Sequence, residues 1–412
     1  MRQLAAPAPR LPYRPRRRAR GGLHLSEDWP SGRFGGWKVS LHRARIAIVG
    51  GGLSGLHAAY LLEQKGVRDY VVLEARQTLG GRVVSHPDPR PVTGANAVSS
   101  FDLGPSWFWP EYQPQLDALV RELQVGRYEQ FEQGQMLMEH RADRPVVAMP
   151  GYASSPASVR LVGGMGALIN ALHCRVDPNR IFMGHTAKSL HSVREHIRVI
   201  CERAEEETVT WTVEHVLLAV PPRLVASRLA FFPELPEKLS ASWSATETWM
   251  APHAKYFAVF ETPFWRDQGL SGQGRSRVGP MVEIHDASVP GGSAALFGFI
   301  GVPAWARRNL SDAQLKALCR AQLVRMYGER ANEPVLELVK DWALEPFTAT
   351  LADLSSTGQH ASAPPATPEN GPWRGLITGI ASEWSPEFGG YLAGAVDAAA
   401  RGVQAQQPFP LR

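Results

Sequence analysis

The sequence predicts an α/β chain of two interleaved domains, one laid on a parallel sheet and the other of α+β character. Three observations carry that expectation. Residues 44–85 alternate in a sharp β-α-β pattern with glycines at the first turn. Longer excursions of different character come next. A final strand, "GLITGIA", and a helix over 390–403 then resume the opening style, so the chain leaves its first sheet and returns to it. A length of 412 residues also exceeds what one ordinary core organises.

Taken in order, residues 1–43 read as a flexible basic extension. Residues 1–20 hold seven of the 44 basic side chains, all arginine, and no acid. The remaining 37 face 39 acids, so the folded part is close to neutral and the net charge of +5 is local. No nucleic-acid recognition fold stands behind "RPRRRAR", and no nucleic-acid partner is expected. The adjoining "GGLHLSEDWP" is not an apolar signal core, and four prolines in the first fifteen residues oppose an amphipathic transit helix. No run approaches the ~18 apolar residues of an integral membrane span. Cys174, Cys201 and Cys319 form no CxxC pair, which suits a cytoplasmic, reducing location and argues against structural zinc.

Within 44–85, "RIAIVG" is a short apolar strand, "SGLHAAYLLEQKG" an amphipathic helix and "YVVLEA" a second strand. Residues 101–160 are aromatic and interrupted by proline, with one helical stretch, "PQLDALVRELQ". "GGMGALINALHC" runs from glycines into helix, and "HIRVICERA" and "TWTVEHVLLAVPP" alternate as strands. "KYFAVFE" and "ALFGFIG" are strands again, succeeded by the helix "SDAQLKALCRAQLVRMYG" with Ser311 as its N-cap. Residues 352–374 read as loop and 405–412 as a tail. The first domain is thus expected in 44–100, 161–245 and 355–404, the second in 101–160 and 246–354.

The glycines at the first turn carry chemistry. Gly50, Gly52 and Gly55, with Leu53 and Ser54 between, give G-x-G-x-x-G where strand meets helix. The first allows the tight turn, the second lets backbone approach a pyrophosphate, and the third lets helix pack on strand. The helix N-terminus then faces the phosphates. Glu74 ends the next strand, placed to accept from a ribose hydroxyl pair and to disfavour a 2′-phosphate. These residues alone leave NAD and FAD unseparated.

The residues after Glu74 separate the two cofactors. "LEARQTLGGRVVS" sets Ala75, Arg76, Gly80, Gly81 and Arg82 behind the acid, and "FDLGPSWFW" comes at 101–109. This start resembles the FAD-dependent amine oxidase family, whose pattern is acid-Ala-Arg, Gly-Gly-Arg and Asp-x-Gly. "LVGGMGALINAL" is similar to the family's Gly-Gly segment beside the flavin. "TAKSLHS" and "VLLAVPP" resemble its adenine-side strand and Pro-Pro exit, with Ala187 at a backbone contact. "HAKYFAVFETPFWR" (253–266) and "SEWSPEFGGYLAGAVDAA" (382–399) resemble monoamine oxidase segments, so the resemblance spans most of 44–403.

The resemblance implies a Rossmann-type FAD-binding domain interleaved with an α+β substrate-binding domain. It implies hydride transfer from a small-molecule amine to flavin N5, an imine that hydrolyses to aldehyde or ketone plus ammonia, and O₂ reduced to H₂O₂. The FAD-holding residues would be those of the glycine turn, Glu74, Ala75, Arg76, Gly80, Gly81 and Arg82. Gly104, Pro105, Ser106, Ala187, Glu383, Gly390, Tyr391 and Leu392 would join them. Lys255 would hold a water against flavin N5, and Tyr391 would wall the substrate.

Two departures qualify the pattern. "DWALEPFTATLADL" (341–354) lacks the cysteine through which monoamine oxidases attach their flavin, so FAD is expected to be non-covalent. The second aromatic wall falls near Leu351 or Ala352, leaving Trp107, Trp342 and Phe347 as alternatives, and Phe388 stands where relatives carry tryptophan. His253 and His360 lack metal spacing, no metal is expected, and Asp102 and Asp341 are expected to fix turns. A monomer and a homodimer are both compatible with the sequence. Two other functions share the N-terminal motifs: a flavin desaturase or porphyrinogen-type oxidase, and a non-catalytic flavoprotein. Lys255 and the ending with Tyr391 favour the amine.

Overall fold

Five short parallel strands form the central sheet, in the order Ile181–Met183, Tyr70–Glu74, Ile46–Val49, His215–Leu218, Ile377–Gly379. The computed structural model describes residues 39–88, 100–203, 207–355 and 362–406. The three middle strands are buried throughout, as a parallel sheet covered on both faces requires, which is why they read as continuous apolar runs. The chain leaves this sheet after Tyr70–Glu74, re-enters with Ile181–Met183 and His215–Leu218, and returns last with Ile377–Gly379. The helices Leu53–Gln64 and Leu392–Gln404 pack on one another, and their apolar faces share a core with Ile46, Ile48 and Val72.

A second five-stranded sheet is a meander, Thr186–Val193, His196–Arg203 and Glu207–Val213, with a parallel strand added at each edge. One edge strand corrects the expectation of a free extension through residue 43. Val39–Arg43 pairs in parallel with Glu207–Val213, and His42 stacks on Trp211 with ring centroids 4.6 Å apart. A run of only five residues gives too little periodicity to announce a strand. The extension through residue 38 and the tail from 407 lie outside the described residues.

The third sheet has seven strands, ordered Leu336–Asp341, Ala254–Phe260, Ala294–Ile300, Met281–Asp286, Leu270–Ser276, Gln135–Glu139, Val147–Pro150. Period 2 sorts the residues of Ala254–Phe260 between two cores. Ala254, Tyr256, Ala258 and Phe260 face the helix Asp312–Tyr327, which starts at a capping box of Ser311 and Gln314 as its sequence suggested. Phe257 and Val259 pack with Phe101 and Leu103. Lys255 shares that second face and is only 4% exposed.

Candidate active site

One cavity of ≈ 790 Å³ runs from the glycine turn to Lys255 and Tyr391. At its first end the helix Leu53–Gln64 starts at Gly52 with no capping side chain and no acid in its first turn, so its amides are open to an anion. Gly50, Gly52, Leu53 and Ser54 line the cavity. Gly55 stands behind them, where a Cβ would overlap the carbonyl oxygen of Gly50, so its part is the close approach of helix to strand. Glu74 Oε2 accepts from the Gly51 amide at 2.7 Å and Oε1 from the Arg76 amide at 2.8 Å, which fixes the carboxylate at the strand end. Ala75 and Ala187 line the same end, Ala187 at a bulge in its strand.

Phe347, weighed as a substrate wall, lies at this end too. Arg76 donates to Glu345 Oε2 at 2.9 Å and holds its guanidinium 5.2 Å from the Phe347 ring centre. Along the middle of the cavity run Gly80, Gly81 and Arg82, faced by Gly104, Pro105 and Ser106. Arg82 Nη1 donates to Glu383 Oε1 at 2.5 Å, and Nη2 to Glu383 Oε2 at 3.0 Å and Ser382 Oγ at 3.1 Å. Glu383 is buried behind the wall and reaches the cavity through Arg82. The Gly163–Gly166 turn corrects its expected place beside the flavin. It packs on Ser85, Ser100 and Asp102, and no residue of it lines the cavity. Asp102 Oδ1 accepts from the Met165 amide at 2.8 Å, and Asp341 Oδ1 from the Ala343 amide at 3.0 Å, so both fix turns.

Lys255 closes the far end. Its Nζ donates to Gly104 O at 2.5 Å and Ser106 Oγ at 2.8 Å, and lies 4.6 Å from the Phe297 ring centre and 5.1 Å from that of Phe299. Burial lowers its pKa to about 7, with Arg160 pushing the same way and Asp102 opposing both. Trp107 and Trp342 both line this region, Trp342 with its indole N–H on Leu103 O at 3.0 Å. Leu351 is 80% exposed, and neither it nor Ala352 reaches the cavity, because buried Asp353 anchors that turn to Arg223 at 2.7 Å. Phe388 is likewise corrected: it packs against the core that the two helices share with the central sheet and does not line the cavity.

Sequence reasoning missed Trp249. It lines the cavity, its ring centre is 6.2 Å from that of Tyr391, and the planes meet at 37°. At that spacing the two rings contact one another and leave no room for a third group between them. Gly390, at φ +84°, admits this contact, because a Cβ there would strike the Trp249 side chain. A tryptophan shortly before the buried lysine was the available signal. Glu283 was missed as well, and it is a carboxylate in the wall on the side of Phe299. His253 lines the cavity, while His360 lies outside the described residues. Among the described residues no group of His, Cys, Asp or Glu is arranged to hold a metal ion.

The arrangement fits a dinucleotide carrying a redox ring. A second uncapped helix start, Tyr391 before Leu392–Gln404, faces the far end with Gly390, Tyr391 and Leu392 in the wall. Two open helix N-termini and a fixed carboxylate are what a pyrophosphate, a ribose and an electron-accepting ring require of a protein. Cys174 is exposed, Cys201 and Cys319 are buried, and none of the three lines the cavity, so no thioether to a cofactor can form there.

Comparison with known proteins agrees with this geometry. Residues 125–405 match the family model described as flavin containing amine oxidoreductase, and residues 48–123 match an NAD(P)-binding Rossmann-like domain. Putrescine oxidase of Kocuria rosea is 24% identical over 84% of this chain and 92% of its own. The probable flavin-containing monoamine oxidase A of Dictyostelium discoideum is 23% identical over 86% and 96%. The solved structure of wild-type putrescine oxidase bound to putrescine, 20% identical, covers 89% of this chain and 99% of that one at a TM-score of 0.70. Cyclohexylamine oxidase of Brevibacterium oxydans, 16% identical, covers 88% and 98% at 0.71. The chain therefore belongs to the flavin containing amine oxidoreductase family, and it is an FAD-dependent enzyme that oxidises amines.

Proposed function

We propose that the protein is an oxidase that takes a hydride from the α-carbon of a small-molecule amine, releases an imine, and reduces O₂ to H₂O₂. The imine hydrolyses to an aldehyde or ketone and ammonia. FAD supplies the electron acceptor of the first half-reaction and the donor of the second. The observation that carries the reading is Lys255, a buried amine at the far end of a cavity whose other end is built for a dinucleotide.

The side chains divide the work. Trp107, Trp249, Phe299, Trp342 and Tyr391 lower the polarity around the substrate nitrogen and favour its neutral form, which alone has the lone pair that assists hydride loss. Tyr391 with Trp249 behind it sets the angle of approach. Lys255, held by Gly104 O and Ser106 Oγ, is assigned to the oxygen half-reaction by placing a proton donor at the cavity end. Arg82, oriented by Glu383, and the amides of Leu53, Ser54 and Leu392 hold the cofactor. On this reading 44–100, 161–245 and 355–404 bind FAD without a covalent link, and 101–160 and 246–354 bind substrate.

All of these residues come from one chain, so the reading holds for a monomer and for a homodimer. Three free cysteines support a reducing cytoplasm as the compartment. Among the described residues no helix is long and apolar enough to cross a membrane.

Lys255→Met tests the assignment. The variant is expected to purify yellow, with flavin content unchanged, and to lose at least about 100-fold in turnover, the low end for a positioned proton-handling group. Stopped-flow absorbance should show reoxidation slowed more than reduction. Unchanged turnover would remove Lys255 from the mechanism.

A further inference from the structure

Beside Lys255, outside the cavity wall, lies a buried ion pair that the chemistry assigned above does not use. Arg160 Nη2 is 3.8 Å from Asp102 Oδ2, and the two side chains are 2% and 1% exposed. Asp102 ends the strand Ser100–Asp102, and Arg160 is the middle residue of Val159–Leu161, which pairs with Arg127–Glu129. Neither lines the cavity, so any effect of theirs on the reaction passes through a third group.

The pair is loosely fastened for a structural one. Asp102 Oδ1 accepts from Ser85 Oγ at 2.6 Å and from the Met165 amide, which leaves Oδ2 without a hydrogen bond. Among the described residues Arg160 finds one acceptor, Asp286 O at 3.4 Å from Nη1, and its Nε has none. A guanidinium carries five N–H donors, and burying it with so few met is costly. Apolar side chains of similar volume would serve stability as well, so the two charges call for another use.

Lys255 is the group on which they act. Its Nζ donates to three uncharged acceptors, Gly104 O, Ser106 Oγ and, at 3.4 Å, the backbone oxygen of Asp102. The faces of Phe297 and Phe299 favour the ammonium, while burial favours the free amine. Burial lowers its pKa most, the Asp102 charge raises it, and the Arg160 charge lowers it. The two states of Lys255 are thus close in energy near neutral pH, where a neighbouring charge decides between them.

The other ionisable groups around Lys255 are matched elsewhere. Lys340, opposite it on the next strand, pairs with Glu345, and Asp341 with Arg307. Across Phe299, Glu283 is held by His285, and Asp286 by Arg266 and Trp265. Burial keeps His253 neutral, with Arg307 adding to it, and burial keeps the proton on Tyr128, the cross-strand neighbour of Arg160.

We propose that Asp102 and Arg160 are positioning residues for the oxygen half-reaction, setting the charge of Lys255 through opposed fields from outside the cavity wall. The proposal rests on the role given to Lys255 above and names the groups that control it. Reducing O₂ to H₂O₂ takes two electrons and two protons. The hydride drawn from the substrate accounts for both electrons and one proton. The ammonium of Lys255 gives the second proton to oxygen and regains one from solvent. Asp102 keeps the ammonium populated, and Arg160 keeps it acidic enough to give its proton up.

Carbon-13 labelling of lysine reads this charge directly, as the pH dependence of the Lys255 Cε shift in the holoenzyme, with Lys255→Met identifying the signal. The unmodified protein should show a midpoint of about 7, far below an ordinary lysine. Asp102→Asn, whose amide oxygen can still accept from Ser85 and Met165, should move the midpoint down. Arg160→Gln should move it up, each by about one unit or more, as a neighbouring charge does. Arg160→Lys keeps the charge and should leave the midpoint in place, which a merely structural role for Arg160 would not require. The rate constant of the reduced holoenzyme with O₂, followed against pH, should carry a step that moves with the NMR midpoint. Midpoints that stay put, or that move the same way in Asp102→Asn and Arg160→Gln, would overturn the proposal, as would an ordinary lysine midpoint in the unmodified protein. Should one variant fail to fold, the other and the unmodified midpoint still decide. An oxygen rate unaffected by Lys255→Met would contradict the role given to Lys255, while the NMR midpoints would still decide its control by Asp102 and Arg160.

Discussion

Arg82 meets Glu383 across 301 residues of chain, and the pair shows how a single contact joins the two ends of the cofactor domain. Glu383 is buried, with its side chain 3% exposed, and its carboxylate is paired with the arginine facing it. Removing one partner of a buried pair strands the other in low dielectric. Arg82→Ala should therefore cost about 2 kcal/mol of unfolding free energy, discounted because the arginine itself is partly exposed. Glu383→Gln removes the charge and keeps the shape, so it should cost less. Denaturant unfolding of both variants, with FAD content measured alongside, checks the order, and equal losses would mean that the charge is not what matters. At this scale the sequence was informative where a motif named the residue, as for Glu74, Arg82 and Lys255. It was silent on Trp249 and Glu283, because their roles depend on which strands become neighbours and no local pattern carries that information.

At the scale of the element, legibility tracked burial pattern. Ile46–Val49 and Tyr70–Glu74 were readable as strands because burial on both faces demands unbroken apolar residues. Leu270–Ser276 was not, since "LSGQGRS" is polar, carries two glycines and shows no alternation, yet it is a strand inside the third sheet. Gly272 explains the composition. It sits at φ +77°, and a Cβ there would come within 2.8 Å of Asp286 and 3.0 Å of Trp265, so close approach of neighbours replaces side-chain packing. The glycine-turn helix obeys the same steric rule, and there the rule was visible in advance. Gly55→Ala should push Leu53–Gln64 away from Gly50, costing about 1–3 kcal/mol as overpacking does. Because the helix start also faces the cavity, FAD affinity should fall with stability. Isothermal titration of the apo variant with FAD checks this, and a variant that is destabilised but binds FAD normally would separate packing from the cofactor site.

Over the whole molecule, stability depends on how the last segment docks back onto the first sheet, and His215 is one of its fasteners. His215 opens a central strand and reaches Gly375 O at 3.0 Å, Thr378 Oγ1 at 3.1 Å and Gln406 Nε2 at 2.7 Å. Gly375 comes just before the returning strand, Thr378 lies in it, and Gln406 lies just past the final helix. The carbonyl of Gly375 accepts, which puts the ring proton on Nδ1 and leaves Nε2 to accept from Gln406. A second proton has no place there, and burial lowers the His215 pKa to about 4; His57, buried in the first helix, is also lowered to about 4 by burial. The unfolded chain takes up these protons near pH 6.5, so between pH 6.5 and 4 it holds more protons than the folded one, and stability falls as pH falls. Each histidine accounts for about 3 kcal/mol across that window, at 1.36 kcal/mol per pH unit. Unfolding free energies of the holoenzyme from pH 7 to 4.5 should therefore decline by more than carboxylate protonation alone would give. His215→Gln can still bridge Gly375 and Thr378 but cannot titrate, so it should remove close to one proton's worth of slope. His57→Gln should remove another, additively, since the two sites share no partner. An unchanged slope in both variants would locate the acid sensitivity elsewhere and leave His215 as a neutral bridge only.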